Sequence, residues 1–413
     1  MSAPAPSARD FRPPSGPAGI FGSRRRPRAK DAPPADAPGR FAFVIHPLYV
    51  QQYAQKFPIT RFLPGRLVER VFRAVPPFEA SRITGIVSPL GPRAEGWFIA
   101  LPWTPRVLLE APVDLVYRRL IQAGRIAERL GAGILGLGAF TKIVGDRGVT
   151  VARELSIGVT TGNSLTAATA VEGALAAAAR MDIDPSRARV AVLGATGSIG
   201  AVCCRLLAPQ VAGLVLAARN LERLESLASR IRAEASADVA VTSDVREAVG
   251  AAEIVLTVTS ATDVLVEPED LRPGAVVCDV ARPRNVSRLV YERRRDVLVI
   301  DGGVLEVPGP VDFGLDFGFP PGTCEACMAE TMLLALERRY EDYTLGGDLD
   351  LDRVREIHTL MHRHGFRLSG FRRFERRIAD EEVDAIRRAA RSAAPRSPAR
   401  HADAPADSAV RQP

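Results

Sequence analysis

From Phe41 onward the chain is punctuated by short apolar runs, each closed by glycine, proline or charged residues. Phe41–Ile45 is the first, and it predicts a buried strand ending at His46-Pro47. Residues 82–101 predict a strand pair, with Ile83, Ile86 and Val87 on one arm, Trp97–Leu101 on the other, and Pro89, Gly91, Pro92 and Gly96 between them. Val116, Leu120, Ala123, Ala127 and Leu130 then recur at helical spacing up to Gly131. Ile134–Gly138 predicts another strand, and an Ala-rich helix follows Thr160-Thr161-Gly162-Asn163 as far as about Met181.

The pattern then alternates. Apolar runs at 189–193, 214–218, 254–258, 275–278 and 297–300 are separated by helical or looped stretches, including a charged amphipathic helix over 221–232. Alternation of this kind predicts a parallel sheet with helices on both faces. The stretch 323–389 predicts a largely helical ending. The domains expected are an N-terminal α/β substrate domain over 41–165, a nucleotide domain over 166–320 and a helical C-terminal segment over 321–389.

Composition matters mainly at the ends. The chain has 413 residues, 46% hydrophobic and 25% charged, with net charge +7, an ordinary globular balance. Residues 1–40 carry +5 and residues 391–413 carry +2, which leaves the middle formally neutral. Both ends are rich in Pro, Ala, Ser and Gly without periodicity, so disordered tails are expected over 1–40 and 390–413. The run Arg24-Arg25-Arg26-Pro27-Arg28 reads as a solvated basic tail. A neutral core removes the main support for nucleic-acid binding. Five cysteines without framework spacing point to a reducing cytoplasm. No apolar signal segment or membrane span is expected, and lipid association is at most weak.

The strongest motif is Gly194-Ala195-Thr196-Gly197-Ser198-Ile199-Gly200, lying between an apolar strand and a helix. Glycines there let backbone N–H groups approach a pyrophosphate while the helix N-terminus opposes its charge. The context predicts a Rossmann-type, doubly wound parallel sheet that binds a dinucleotide. The second strand ends in Ala218-Arg219-Asn220, with arginine where an NAD site usually places a carboxylate. A guanidinium suits a 2′-phosphate, so NADPH is the expected cofactor. Thr196, Ser198, Ile199, Arg219, Asn220 and Thr259 join the glycines in the expected cofactor site.

Among the cysteines, Cys203 and Cys204 read as packing residues, and Cys278 ends a strand beneath the nicotinamide region. Cys324 and Cys327 follow Pro320-Pro321-Gly322, a helix start with Thr323 as candidate N-cap. Cys327 then falls in the first turn, where the helix dipole favours thiolate. Glu330 and Thr331 share its face, while Ala329, Met332, Leu333 and Leu336 form a packing stripe. By chemistry alone the pair reads as a redox couple, half a metal site, a structural thiol or a nucleophile. His362 and His364 are poorly spaced to complete a zinc site, and no metal is expected.

Taken together, these residues resemble the long-chain acyl-[acyl-carrier-protein] reductases. The resemblance runs from about Phe41 to Phe366. It is carried by Thr160–Asn163 with Thr166-Ala167, by Gly194–Gly197 with Ile199-Gly200, by Ala218-Arg219-Asn220, and by Ala326-Cys327 with Ala329-Glu330. Weaker matches are His46, Gly138 and Phe140 with Ile143-Val144, and His364-Gly365-Phe366. The resemblance implies NADPH-dependent reduction of a fatty acyl thioester, on acyl carrier protein or CoA, to a fatty aldehyde. Cys327 would carry the acyl group, with Cys324 a bystander. Glu330 is a candidate catalytic residue beside Cys327, and His46 is the first candidate for proton donor or oxyanion stabiliser. Thr161 and Asn163 are candidates to face substrate, with helix capping as their other reading. Two departures from the family stand out: Val280-Ala281-Arg282-Pro283 after the late strand, and Leu165 where the family has histidine. The competing readings are a shikimate-dehydrogenase-like or glutamyl-tRNA-reductase-like oxidoreductase on a small polar substrate, and a non-catalytic NADP-binding protein.

Overall fold

Strand β1 (Gly39–Ile45) starts inside the stretch expected to be tail, pairing Gly39 with Ala94 and Arg40 with Glu95. The structure, a computed structural model, describes residues 37–393 apart from 260, 262, 282, 283, 374 and 375. The arginine run at 24–28, the Arg282-Pro283 departure and the tail beyond residue 393 lie outside the described residues.

Helix α1 (Gly65–Ala74) follows β1, and then come β2 (Phe78–Val87), β3 (Arg93–Ala100), α2 (Val113–Arg129), β4 (Ile134–Leu137) and β5 (Gly158–Thr160). The sheet runs β2-β3-β1-β4-β5, parallel except for the antiparallel β2–β3 pair expected from the sequence. Side chains alternate across β1. Phe41 and Phe43 pack on one face, and Ala42 and Val44 meet Val116, Leu120 and Ala123 of α2 on the other.

Helix α3 (Asn163–Arg180) leads into the second sheet. Its strands are β6 (Arg189–Leu193), β7 (Gly213–Ala217), β8 (Asp238–Thr242), β9 (Ile254–Thr257), β10 (Val276–Asp279) and β11 (Leu298–Asp301). Helix α4 (Ser198–Leu207) follows β6 and α5 (Leu221–Glu234) follows β7. The sheet is entirely parallel, in the order β11-β10-β9-β6-β7-β8. Numbered from its own first strand this is 6-5-4-1-2-3, the dinucleotide-binding order of a Rossmann sheet. Strand β8 escaped the hydrophobic pattern because it lies at the sheet edge and alternates exposed Asp238 and Ala240 with buried Val239.

The C-terminal part is less helical than its sequence implies. Strands β12 (Val304–Glu306), β13 (Thr323–Glu325) and β14 (Arg367–Leu368) form a small antiparallel sheet, and α6 (Ala326–Leu336), α7 (Leu351–Arg363) and α8 (Asp380–Ala393) surround it in sequence. Thr323 is not the N-cap of α6. Its hydroxyl donates to the Pro320 carbonyl at 2.8 Å, and Glu325 holds the cap position. Ala329, Met332, Leu333 and Leu336 of α6 pack into the core as expected, but they are not a separate stripe, because every residue from Ala326 to Leu336 is buried. The helix lies on the Phe41 and Phe43 face of the first sheet and is covered by α3 and α7. A helix enclosed on all sides has no polar face to signal its register.

Candidate active site

The parallel strands of the first sheet all point their carboxyl ends to one edge. His46 follows β1 there, Lys142 follows β4, and Thr160–Asn163 ends β5. In open α/β sheets ligands gather at such edges. Cys327, the second residue of α6, meets this edge through Gly162. A Cβ on Gly162 would stand 2.3 Å from the Cys327 Cα and Cβ, and the residue has φ +71°. Only glycine lets the loop after β5 lie this close against the thiol's backbone. From the other side, the Ala326 N–H donates to the Gly303 carbonyl at 2.7 Å, two residues past β11. Cys327 is therefore pinned between the carboxyl ends of strands from both sheets.

Cys327 is 4% exposed. Burial pushes its pKa up to about 12; Lys142 works against this, and Glu325 and Glu330 add to it. The thiolate expected from the helix dipole is thus outweighed by desolvation in this state. The Sγ lies 3.8 Å from Glu325 Oε2. Cys324 is fully buried in β13, and burial raises its thiol well above the ordinary range. All five cysteines are free. Cys203 and Cys204 pack in the α4 core, and the Cys278 thiol sits 3.8 Å from the Ala170 carbonyl of α3.

Glu330 has no exposed surface, and it organises the loop rather than facing a cleft. Its Oε1 accepts from the Thr160 hydroxyl at 2.5 Å and the Thr344 hydroxyl at 2.7 Å, and its Oε2 accepts from the Leu165 N–H at 2.8 Å. Burial raises its pKa against these three hydrogen bonds. Ser164 Oγ joins the chain through Thr344 Oγ1 at 2.8 Å. Leu165, the departure from the resembled family, contributes its backbone to this network and its side chain to the core.

Thr161 is committed to the same scaffold. Its N–H and hydroxyl both donate to the Thr344 carbonyl, at 2.9 and 3.1 Å. Asn163 differs: it is 4% exposed, and its Oδ1 has no hydrogen-bond partner. A buried acceptor left open next to Gly162 is a place for a ligand's N–H.

His46 is engaged at both ring nitrogens. Nε2 accepts from the Phe140 N–H at 3.1 Å, so Nδ1 carries the proton and donates to the Pro47 carbonyl at 3.1 Å. Burial lowers its pKa to about 4, although the Pro47 contact opposes this. A neutral ring with its one N–H taken fastens the end of β1 to the turn after β4, and in this arrangement it offers no proton.

Sequence reasoning missed Lys142. Its ammonium is near enough to favour ionisation of both Cys327 and Glu330. A signal was present: the chain has only three lysines (Lys30, Lys56 and Lys142) and uses arginine for nearly all its positive charge. The Gly303 contact and Thr344 had no sequence signal.

The second sheet builds the nucleotide cradle. Gly194 has φ +86°, and a Cβ there would lie 2.9 Å from the Thr259 Cα. A Cβ on Gly200 would lie 2.3 Å from the Gly194 carbonyl oxygen. Gly197 holds the N-cap of α4 with no side chain closing it, so Ser198 and Ile199 open the helix with uncapped N–H groups. Thr196, Ser198 and Ile199 line the half-exposed turn. These features fit a pyrophosphate. Arg219 is exposed beyond β7 and makes no ion pair among the described residues. Asn220 is placed otherwise than expected: its Oδ1 accepts from the Arg223 N–H at 2.9 Å and caps α5. Thr259 meets the loop through its backbone, and its hydroxyl accepts from the Ala261 N–H.

Residues 176–301 match the shikimate / quinate 5-dehydrogenase family. An aminotransferase, PigE, of a Serratia species is 32% identical over 362 residues, which is 84% of this chain and 42% of that protein. The chain thus spans less than half the length of that relative. A long-chain acyl-[acyl-carrier-protein] reductase of Synechococcus elongatus is 29% identical over 308 residues, 71% of this chain and 88% of that one. Among solved structures, L-tryptophan dehydrogenase from Nostoc punctiforme aligns over 86% of this chain and 88% of its own, at 14% identity and a TM-score of 0.40. The second sheet is a dinucleotide-binding domain of the NAD(P)-dependent oxidoreductase kind. No helix among the described residues is long and apolar enough to cross a membrane.

Proposed function

We propose that the chain reduces a long-chain fatty acyl thioester to the fatty aldehyde, using NADPH and a covalent acyl-Cys327 intermediate. The observation that carries this reading is the position of Cys327, held by Gly162 on one side and by the Gly303 contact of Ala326 on the other. In this reading a nucleophile there stands between the sheet that would take the substrate and the nucleotide-binding sheet. The Cys327 thiol gives up its proton, Sγ attacks the acyl carbonyl, and the carrier leaves as the protonated thiol. Lys142 favours the thiolate needed for that attack. When bound on the 194–200 loop, NADPH supplies the hydride that reduces the acyl-enzyme. Arg219 would hold its 2′-phosphate. Similarity to the Synechococcus reductase supports the same reading.

The surface after β1 suits such a substrate. Tyr49, Ile59, Phe62, Leu67 and Val71 are exposed, and Arg61, Arg66, Arg70 and Arg73 are exposed among them. Apolar groups beside basic ones match a fatty chain carried on an acidic protein. Full-length protein supplied with NADPH and a long-chain acyl-carrier thioester is expected to release aldehyde and to show an acyl adduct on Cys327 by peptide mass spectrometry. Cys327→Ala should lose both. An adduct that persists in that variant would remove Cys327 from the role, and turnover confined to small polar substrates would favour the shikimate-dehydrogenase-like alternative.

A further inference from the structure

Helix α7 carries His358 and His362 one turn apart, and Glu172 of α3 faces both. His358 Nε2 lies 2.7 Å from Glu172 Oε2, His362 Nε2 lies 3.3 Å from the same oxygen, and the two Nε2 atoms are 3.3 Å apart. Three lone-pair donors, separated in sequence by as much as 190 residues, thus converge on one point. A tetrahedral zinc ion with bonds of about 2.0–2.1 Å needs ligand atoms about 3.3–3.4 Å apart. Two of the three separations already have that length. The third is an ordinary hydrogen bond that the ion would open slightly.

The chemistry and access also fit. Two imidazoles and a carboxylate are a common zinc donor set with three protein ligands. The side chains are 34%, 50% and 29% exposed, which leaves a route in and a fourth position for water. From the sequence, His362 and His364 are too poorly spaced for a zinc site, and none was expected. The structure separates them: His364 caps α7 and turns into the interior between Ser88 and Glu337, and the i,i+4 partner of His362 is His358. Glu172 stands nine residues along α3 from Asn163, roughly 13 Å away along the helix axis. A metal there is remote from Cys327, and its effect would be to fasten α7 to α3.

We propose that Glu172, His358 and His362 bind one divalent transition-metal ion of the zinc type, which clamps α7 onto α3. The experiment uses untagged full-length protein stripped with chelator and titrated with ZnCl2 by calorimetry, then with CoCl2 by visible absorption. Expected are one equivalent bound with micromolar or tighter affinity at pH 7.5, a tetrahedral cobalt spectrum without thiolate bands, and a Tm that rises with zinc. Glu172→Gln should weaken zinc roughly tenfold or more, and H358Q/H362Q should abolish the one-to-one site while far-UV circular dichroism stays native. The cobalt spectrum of the unsubstituted protein decides the matter should the double variant fail to fold. Absence of saturable zinc uptake, thiolate bands in the cobalt spectrum, or unchanged uptake by a folded H358Q/H362Q protein would overturn the proposal.

Discussion

A thiol with a pKa near 12 is a poor nucleophile at neutral pH, so what lowers the cost of ionising Cys327 matters at the level of single residues. Lys142 is the cation that acts in this direction. Alkylation of Cys327 by iodoacetamide should rise about tenfold per pH unit between pH 7 and 10, following the thiolate fraction. Replacing Lys142 with Ala takes away a favourable charge and moves the thiol further up, so labelling should slow roughly threefold to tenfold across that range. Peptide mapping of the Cys327 adduct measures both, and labelling indifferent to pH would sink the account. Gly162 is the second residue on which the site turns. Gly162→Ala adds a methyl 2.3 Å from Cys327 in a left-handed backbone conformation. Strain and overpacking together predict a loss of about 2–5 kcal/mol in urea unfolding and a displaced thiol. A change within about 0.5 kcal/mol would show that the two segments are not held in contact.

Helix α6 shows where reading by periodicity stops. Amphipathic helices such as α2 announce their buried stripe, and the expected and observed spans of α2 differ by only a few residues. The eleven residues of α6 are buried on every side, so nothing in their polarity distinguishes the face toward the sheet from the faces toward α3 and α7. Cys327 and Glu330 were legible as residues of interest. Their division of labour was not, because Thr160, Leu165 and Thr344 reach Glu330 from elements up to 170 positions away. Glu330 is a positioning residue that ties α6 to the end of β5 and the start of α3. Glu330→Ala leaves the Thr160 hydroxyl and the Leu165 N–H without an acceptor, while the Thr344 hydroxyl can turn to Ser164, and should cost at least about 2 kcal/mol of stability. Glu330→Gln keeps one acceptor oxygen, and the threonine hydroxyls can turn to receive its amide, so its cost should be clearly smaller. Urea unfolding of both variants tests the ranking, and equal losses would contradict the network.

At the scale of the molecule, the two sheets were legible because most of their strands hold short apolar runs between turn residues, edge strand β8 being the exception, and the glycine loop at 194–200 marked one of them as nucleotide-binding. The seam was hidden, because it forms where Gly162 and Gly303 meet α6, long after the chain has left both sheets. The layout separates two tasks. The first sheet and its exposed apolar and basic segment serve the acyl substrate in the proposed reaction, and the second sheet serves the nucleotide. In that reaction Cys327 serves both. Acyl transfer to Cys327 should therefore proceed with no nucleotide present, and adding NADPH should discharge the adduct as aldehyde. Gly200→Ala tests this independence from the other side. Its methyl would lie 2.3 Å from the Gly194 carbonyl oxygen and 2.9 Å from the Ala195 Cα, both backbone atoms of the loop that receives the pyrophosphate. The variant should bind NADPH at least tenfold more weakly, because a distorted loop withdraws the N–H groups at the start of α4. It should nonetheless accumulate acyl-Cys327, stalled before reduction. Intact-protein mass spectrometry after mixing with acyl thioester reads the adduct directly. A Gly200→Ala protein that keeps its fold but takes up no acyl group would mean that the nucleotide is needed to form the acyl site, and the two sheets would then act as one unit.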